Sequence, residues 1–304
     1  MANITRGSIT LPSEVSSEII QKTQEQSAVM QLARQVQLPG RGVTIPVITG
    51  DPEAGWVAEG ASKPVSNGTL SSKLMTPYKL AVIEVFSMEF TRDAASLYQT
   101  LIGRLPLALA NKFDATVFGN VNKPGDNFDN FANVTAQSIL KSQNADAYDG
   151  LVAADTDIAT HGGIVNGYVI APQGKGLLLS AKDTTGRPLF INSVAEGAIP
   201  MILGAKTMQS KGAYKAGTAA AGQDAGTPAV VGFVGDWTQA IYGTVAGVDI
   251  TVSDQATVVS GTGNEAVTIN LWQDNMVAVR TEIELGFRAD TSVFNKLTGA
   301  IPAA

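Results

Sequence analysis

A few short stretches of this 304-residue sequence hold residue types that could do chemistry. GTGNEA (261–266) fits the phosphate-binding pattern G-x-G-x-x-G/A. That pattern works only where a strand leads in and a helix N-terminus follows to hold a pyrophosphate. Here the following VTINLW reads as a strand, so a loop between two strands is the expectation. His161, in THGG, is the chain's one histidine. It could act as a general base, but no G-x-S-x-G serine elbow accompanies it, and an exposed loop histidine is the simpler account. GDNFDN, with Asp126 and Asp129, has the carboxylates of a calcium loop without its alternating spacing or closing glutamate. A turn-rich loop explains it. Trp56 does no chemistry, yet it stands in a polar, Gly/Ser/Pro/Lys-rich stretch, and tryptophan is enriched at interface hot spots. Either a partner covers it or it packs on its own domain; the interface reading is favoured.

Composition narrows the field further. With no cysteine, the chain holds no disulfide, no thiolate metal site and no cysteine nucleophile. Lys and Arg total 21 against 27 acidic residues, a net charge of −6, which argues against a surface built to grip nucleic acid. Charged residues are 16% of the chain, against about 25% in an average soluble domain. A chain of this kind has either an unusually large core or a surface largely covered by partner subunits. The longest nearly apolar stretches, LPLALA (105–110) and GAIPMILGA (197–205), fall far short of the roughly 20 residues of a membrane span. No signal peptide is legible, and folding in a reducing cytoplasm is expected. No catalytic, cofactor-binding or metal-binding residue is assigned.

The elements that would position these residues include several with little interior of their own. Residues 1–40 read as an arm: a helix starting at Pro12-Ser13 with Val15, Ile19 and Ile20 on one face, a lapse through Gln21–Gln26, then Val29, Leu32, Ala33 and Val36 up to Pro39-Gly40. Two short amphipathic pieces need something to lie on. VTIPVI (43–48) and KLAVIEVFS (79–87) read as strands. The stretch between them is too long for an ordinary hairpin loop; a two-stranded ribbon with its tip near Asn67-Gly68 is one solution. About 14 residues a side would reach roughly 45 Å, and such a ribbon is marginal unless it lies across a neighbour. Residues 94–118 form the clearest helix, with Leu97, Tyr98, Leu101, Ile102, Leu105, Leu109, Phe113 and Val117 on one stripe. Asp93 is its expected N-cap and Gly119 its stop, and Pro106 predicts a kink. A helix over 135–159, a strand at 166–172, a helix at 175–181 and a mobile loop over 212–229 follow. Strand-like runs AVVGFVG, QAIYGTV, VDITVS, AVTINLW and MVAVRTEIELGF close the chain.

This order of parts resembles the Hong Kong 97-like major capsid proteins of tailed bacteriophages, a fold shared with encapsulin shells, over nearly the whole chain after residue 35. VTIPVITGDPEAGWVAEG followed by KLAVIEVFSMEFTRD is similar to the family's strand, acidic Pro loop, W-V-x-E-G, ribbon and S-x-E-x-x-x-D entry to a long helix. Trp56, Val57, Glu59, Gly60, Ser87, Glu89 and Asp93 carry the match. NGYVIAPQGKGLLLSAKDTTGRPLF is similar to an axial-domain strand and helix ending in D-x-x-G-R-P-L, through Asp183, Gly186, Arg187, Pro188 and Leu189. GDWTQAIYG and LWQDNMVAVRTEIELGFRADTSVFNKL are similar to the closing strands.

The resemblance implies an α+β fold: an N-terminal arm and first strand (1–49), an extended loop (50–80), a peripheral domain with a spine helix (81–145), an axial domain (146–264) and return strands to the peripheral domain (265–304). It implies a non-enzymatic subunit of an icosahedral shell of hexamers and pentamers around double-stranded DNA, assembled in the host cytoplasm. A separate scaffolding protein or none is expected, since the family's cleaved scaffold segment has almost no room here. A portal is a further implied partner, and decoration proteins sit on some such shells. Trp56, Glu59, Lys63, Lys73 and Arg104 are the expected intersubunit contacts. Some relatives cross-link a ribbon lysine to a neighbour's asparagine. Lys63, Lys73 and Asn295 form no such matched set here, so boiled particles are expected to run as a single band on a denaturing gel; a ladder would refute this. The alternatives are an encapsulin-like compartment, a hydrolase using His161, and a tail or surface-binding protein.

Overall fold

A computed structural model describes residues 13–50, 56–57, 69–89, 94–140, 146–182, 186–187, 189–190, 201–220, 225–245, 247–261 and 266–300. The apolar stripe expected over 94–118 becomes helix α3 (Ala94–Val117), about 36 Å long at 1.5 Å per residue. Leu105, Leu109, Phe113 and Val117 are buried along it. Gly119, at φ +76, ends it by donating its N–H to the Thr116 carbonyl, the left-handed stop that glycine supplies without strain. Pro106 lies inside the helix; Asp93, its expected cap, lies outside the described residues.

The arm does not wait for a neighbour. Its helices α1 (Ser13–Gln26) and α2 (Ala28–Leu32) pack against α3 of their own chain, burying Ile19, Ala28, Val29 and Met30. Helix α1 runs through the polar stretch Gln21–Gln26, because tertiary packing along one side outweighs a weak local pattern. Instead of stopping at Pro39-Gly40, the segment turns into strand β1 (Arg34–Gln37).

Two sheets form the body. In the first, the long strand β14 (Met276–Ala289) carries β4 (Tyr78–Ser87) along one edge, and β10 (Ala240–Thr244) and β11 (Asp249–Ser253) along the other; β1 adds in parallel to β10. The second has six strands: β5 (Thr135–Ser138), β15 (Phe294–Thr298), β9 (Val230–Gly235), β6 (Gly167–Ile170), β8 (Ala205–Gln209) and β7 (Met201–Ile202), in that order. Helices α4 (Ala147–Thr160) and α5 (Pro172–Ser180) pack on it. A separate hairpin pairs β12 (Thr257–Ser260) with β13 (Val267–Asn270).

The expected helix over 135–159 is therefore two elements. TAQS at 135–138 is a strand beside β15, and the helix begins only after Asp146. That residue caps it by accepting the Tyr148 and Asp149 N–H groups, while Asp149 accepts the Asp146 N–H. The glycine-rich segment expected as a mobile loop is partly paired: Lys215 bridges Val230, and Thr218 and Thr227 exchange both backbone bonds.

One core runs through both sheets. Phe131 stands at their junction, stacked on Phe294 of β15 at 4.4 Å and edge-on to Phe287 of β14 at 5.7 Å and to Trp237 at 5.9 Å. Phe118, at the end of the spine, stacks on Phe233 of β9 at 4.7 Å. The fold is α+β, as expected. Strands β10 and β11 join the sheet of β14, β12 pairs with β13, and β15 lies in the six-stranded sheet.

Candidate functional site

The ribbon is where the chain departs from its own core. Strands β2 (Val43–Gly50) and β3 (Thr69–Met75) are antiparallel and, among the described residues, pair only with each other, from Val43↔Met75 to Gly50↔Thr69. Those eight residues of β2 span roughly 23 Å. The expected Asn67-Gly68 tip lies outside the described residues. At the root, Met75 is buried with Leu38 and Ile241. Gly42 is at φ +84, where a Cβ would stand 2.5 Å from the Met75 carbonyl oxygen, so only glycine brings the two ribbon strands this close.

A polar knot fastens the root. Arg288, near the end of β14, donates from Nε and Nη2 to the Leu74 carbonyl (2.8 and 2.6 Å), from Nη2 also to Asn127 Oδ1 (2.9 Å), and from Nη1 to Asp129 Oδ1 (2.8 Å) and the Asp126 carbonyl (3.4 Å). Asp129 Oδ2 accepts the Ala289 N–H and lies 3.6 Å from Lys73 Nζ, which donates to the Ala289 carbonyl. A planar guanidinium with donors on three nitrogens can join three separate segments in this way, where an ammonium could not. The GDNFDN loop thus serves an arginine instead of a metal. Nothing in the sequence joined residues 129 and 288.

A second knot holds the arm. Asp114, on the inner face of α3 and 1% exposed, accepts bonds from Ser27 Oγ (2.6 Å), Ser210 Oγ (2.7 Å), and the N–H groups of Ala28 (3.0 Å) and Val29 (3.4 Å). Each serine hydroxyl also accepts a backbone N–H, from Met30 and Gly212 respectively, which leaves its own proton free to point at the carboxylate. Burial pushes the Asp114 carboxyl above its usual range, and the four donors pull it back. One carboxylate so ties the arm, the spine and the 210–213 turn together.

Comparison with known proteins accounts for this architecture. The model of the phage capsid family matches residues 7–292. The chain belongs to the phage capsid family. The probable major capsid protein gp17 of Mycobacterium phage L5 is 31% identical over 299 residues, covering 95% of this chain and 89% of that protein. The major capsid protein of Staphylococcus phage 80alpha is 23% identical over 300 residues, covering 96% and 85%. Among solved structures, one from Gordonia phage Cozz superposes with a TM-score of 0.68 at 21% identity, over 91% of this chain and 87% of that one.

As a member of the phage capsid family, the chain is a structural subunit that assembles with its own kind in the virion capsid, and it catalyses no reaction. The encapsulin alternative is not favoured, because the matching family and relatives are phage capsids. The hydrolase reading falls with them. His161 is exposed and ends α4, its Nδ1 2.8 Å from the Asp157 carbonyl. Strand β13 follows GTGNEA, so no helix N-terminus is there to hold a phosphate. Among the described residues, no group of three or more metal-ligating side chains exists and no helix is long and apolar enough to cross a membrane.

The expected contact residues separate. Trp56 is fully exposed and Val57 is exposed beside it. Arg104 is exposed on α3. Glu59 and Lys63 lie outside the described residues. Lys73, half-buried at the ribbon root, donates to the Ala289 carbonyl and lies 3.6 Å from Asp129. Asn295 is 0% exposed and donates to the Ala154 carbonyl.

Proposed function

We propose that this chain tiles an icosahedral shell as hexamers and pentamers that enclose a double-stranded DNA genome, the ribbon of each subunit lying on the next. A scaffolding protein, a portal and, on the finished shell, decoration proteins are its further partners, and assembly takes place in the host cytoplasm. The observation that carries this reading is the ribbon: two strands paired, among the described residues, only with each other, fastened at the root and exposing a whole tryptophan beyond it. An isolated hairpin of this size is marginal in water, and weak contacts repeated around a shell add up by multivalency. The axial part of the subunit is best drawn on the six-stranded sheet, β15 included, and the peripheral part on the sheet of β14.

Electron microscopy of the purified full-length chain tests the proposal. Closed shells with five- and six-fold capsomers are expected, with double-stranded DNA inside particles taken from infected cells. Trimers, fibres or persistent monomers would refute it, and shells loaded with an enzyme instead of DNA would point to a compartment.

A further inference from the structure

Resting on the shell reading, we infer that Trp56 of one subunit seats in an apolar socket on the spine of the next, formed by α3, the start of β4 and the loop at 121–128. The socket has a volume of about 160 Å³ and is lined by Leu80, Phe113, Val121, Pro124, Phe128 and Leu285, with Lys79 and Lys112 at its edge. Phe113, Phe128 and Leu285 are buried in the core behind it, so its floor is rigid. It is the right kind of receptor for one large flat side chain: apolar walls and a cation at the lip, which an indole face attracts.

Its own chain does not fill it, since Trp56 is 107% exposed. Charge selects the occupant. Lys79 is already shared between Glu282 (3.7 Å) and Glu284 (3.6 Å), whereas Lys112 has no ion pair among the described residues. The sequence around Trp56 carries Asp51, Glu53 and Glu59, with no basic residue between Arg41 and Lys63. An acidic stretch of sequence bearing one tryptophan matches a socket with one unpaired lysine, and both belong to the same polypeptide. A knob on one face and a socket on another make a heterologous contact, which closes into rings when the rotation allows. Trp272, the other exposed tryptophan at 71%, lacks this match: of its near neighbours the one carboxylate, Asp274, already accepts the Asn270 N–H.

The absence of native cysteine makes the test clean. Full-length protein carrying Val57→Cys and Asn122→Cys, the latter exposed at the socket lip, is assembled under reducing conditions and then oxidised. Non-reducing gels are expected to show a ladder of linked subunits, at least tenfold stronger than with Val57→Cys paired with Val259→Cys on β12, in the separate β12–β13 hairpin. Shells without a ladder, or equal ladders from both pairs, would overturn the inference and leave the shell reading standing; parent protein that forms no shells would overturn both. A second variant guards against a cysteine pair that fails to assemble. Lys112→Glu is expected to cut the assembled fraction about tenfold and Lys112→Glu with Glu53→Lys to restore it; an assembled fraction that Lys112→Glu leaves unchanged would equally overturn the inference.

Discussion

Asp114→Ala is expected to lower the free energy of unfolding by about 3–5 kcal/mol, because it strands several buried hydrogen-bond donors at once. Two hydroxyls and two backbone N–H groups lose their acceptor at once, and each buried donor left unpaired costs about 1–3 kcal/mol. Against a typical total of about 5–15 kcal/mol, that is a large share. Urea titration of the disassembled subunit measures it. Asp114→Asn keeps one accepting oxygen but turns an amide N–H₂ toward two of the donors, so a smaller loss, about 2 kcal/mol, is expected. An Ala variant within 1 kcal/mol of the parent would show that the arm is held by its apolar contacts alone.

The same carboxylate sets a pH dependence. Burial holds its pKa above the unfolded value near 3.8. Its contribution to stability is therefore fully present below the unfolded pKa and is lost as pH rises through the folded one. Asp114→Asn does not titrate, so its deficit relative to the parent is expected to be largest in acid and to shrink toward neutrality. A deficit that grows with pH would mean that the four donors outweigh burial.

Arg288→Ala is expected to release the ribbon. The change removes the bonds to Leu74, Asp126, Asn127 and Asp129 together, and leaves Asp129 with Lys73 and the Ala289 N–H. A loss of about 2–4 kcal/mol is expected from charge-assisted bonds of this geometry. Its local sign is sharper than its global one. Lys73 is held in the same knot, so tryptic cleavage after Lys73 is expected to speed up tenfold or more, and shell yield to collapse. Arg288→Lys should recover less than half of the effect, because an ammonium cannot match the planar fork that bonds β3 and the 126–129 loop at once. Unchanged cleavage in the Ala variant would show that Met75 and Leu38 alone hold the root.

Patterns with a strong local period were legible in the sequence. Leu105, Leu109, Phe113 and Val117 declare the spine at helical spacing, and Val277, Val279, Thr281, Ile283, Leu285 and Phe287 place one buried face on β14. Pairings set by distant chemistry were not. Asp114 sits among the apolar residues of α3, and a carboxylate there reads as a solvent-facing residue until Ser27 and Ser210 arrive from 87 and 96 residues away. Strand β5 is four residues without an apolar rhythm, TAQS, and exists because β15 pairs with it. The two tryptophans show the same limit from opposite sides: Trp237 is 1% exposed and bonded to the Gly167 carbonyl, whereas Trp56 lies bare. Composition treats them alike. The ribbon's lack of an interior was legible, but the bonds that Lys73 makes at its root were not, because its partners Asp129 and Ala289 lie more than 50 residues away in the chain.

Strand β15 sits inside the six-stranded sheet, parallel to β5 and antiparallel to β9. A ribosome must therefore deliver residues 294–298 before residues 135–138 have anything to pair with, a closure over more than 150 residues that slows folding. Incomplete translation products would turn β9, an interior strand of the finished sheet, into an open edge. Such fragments would leave strand β9 without the partner that β15 supplies.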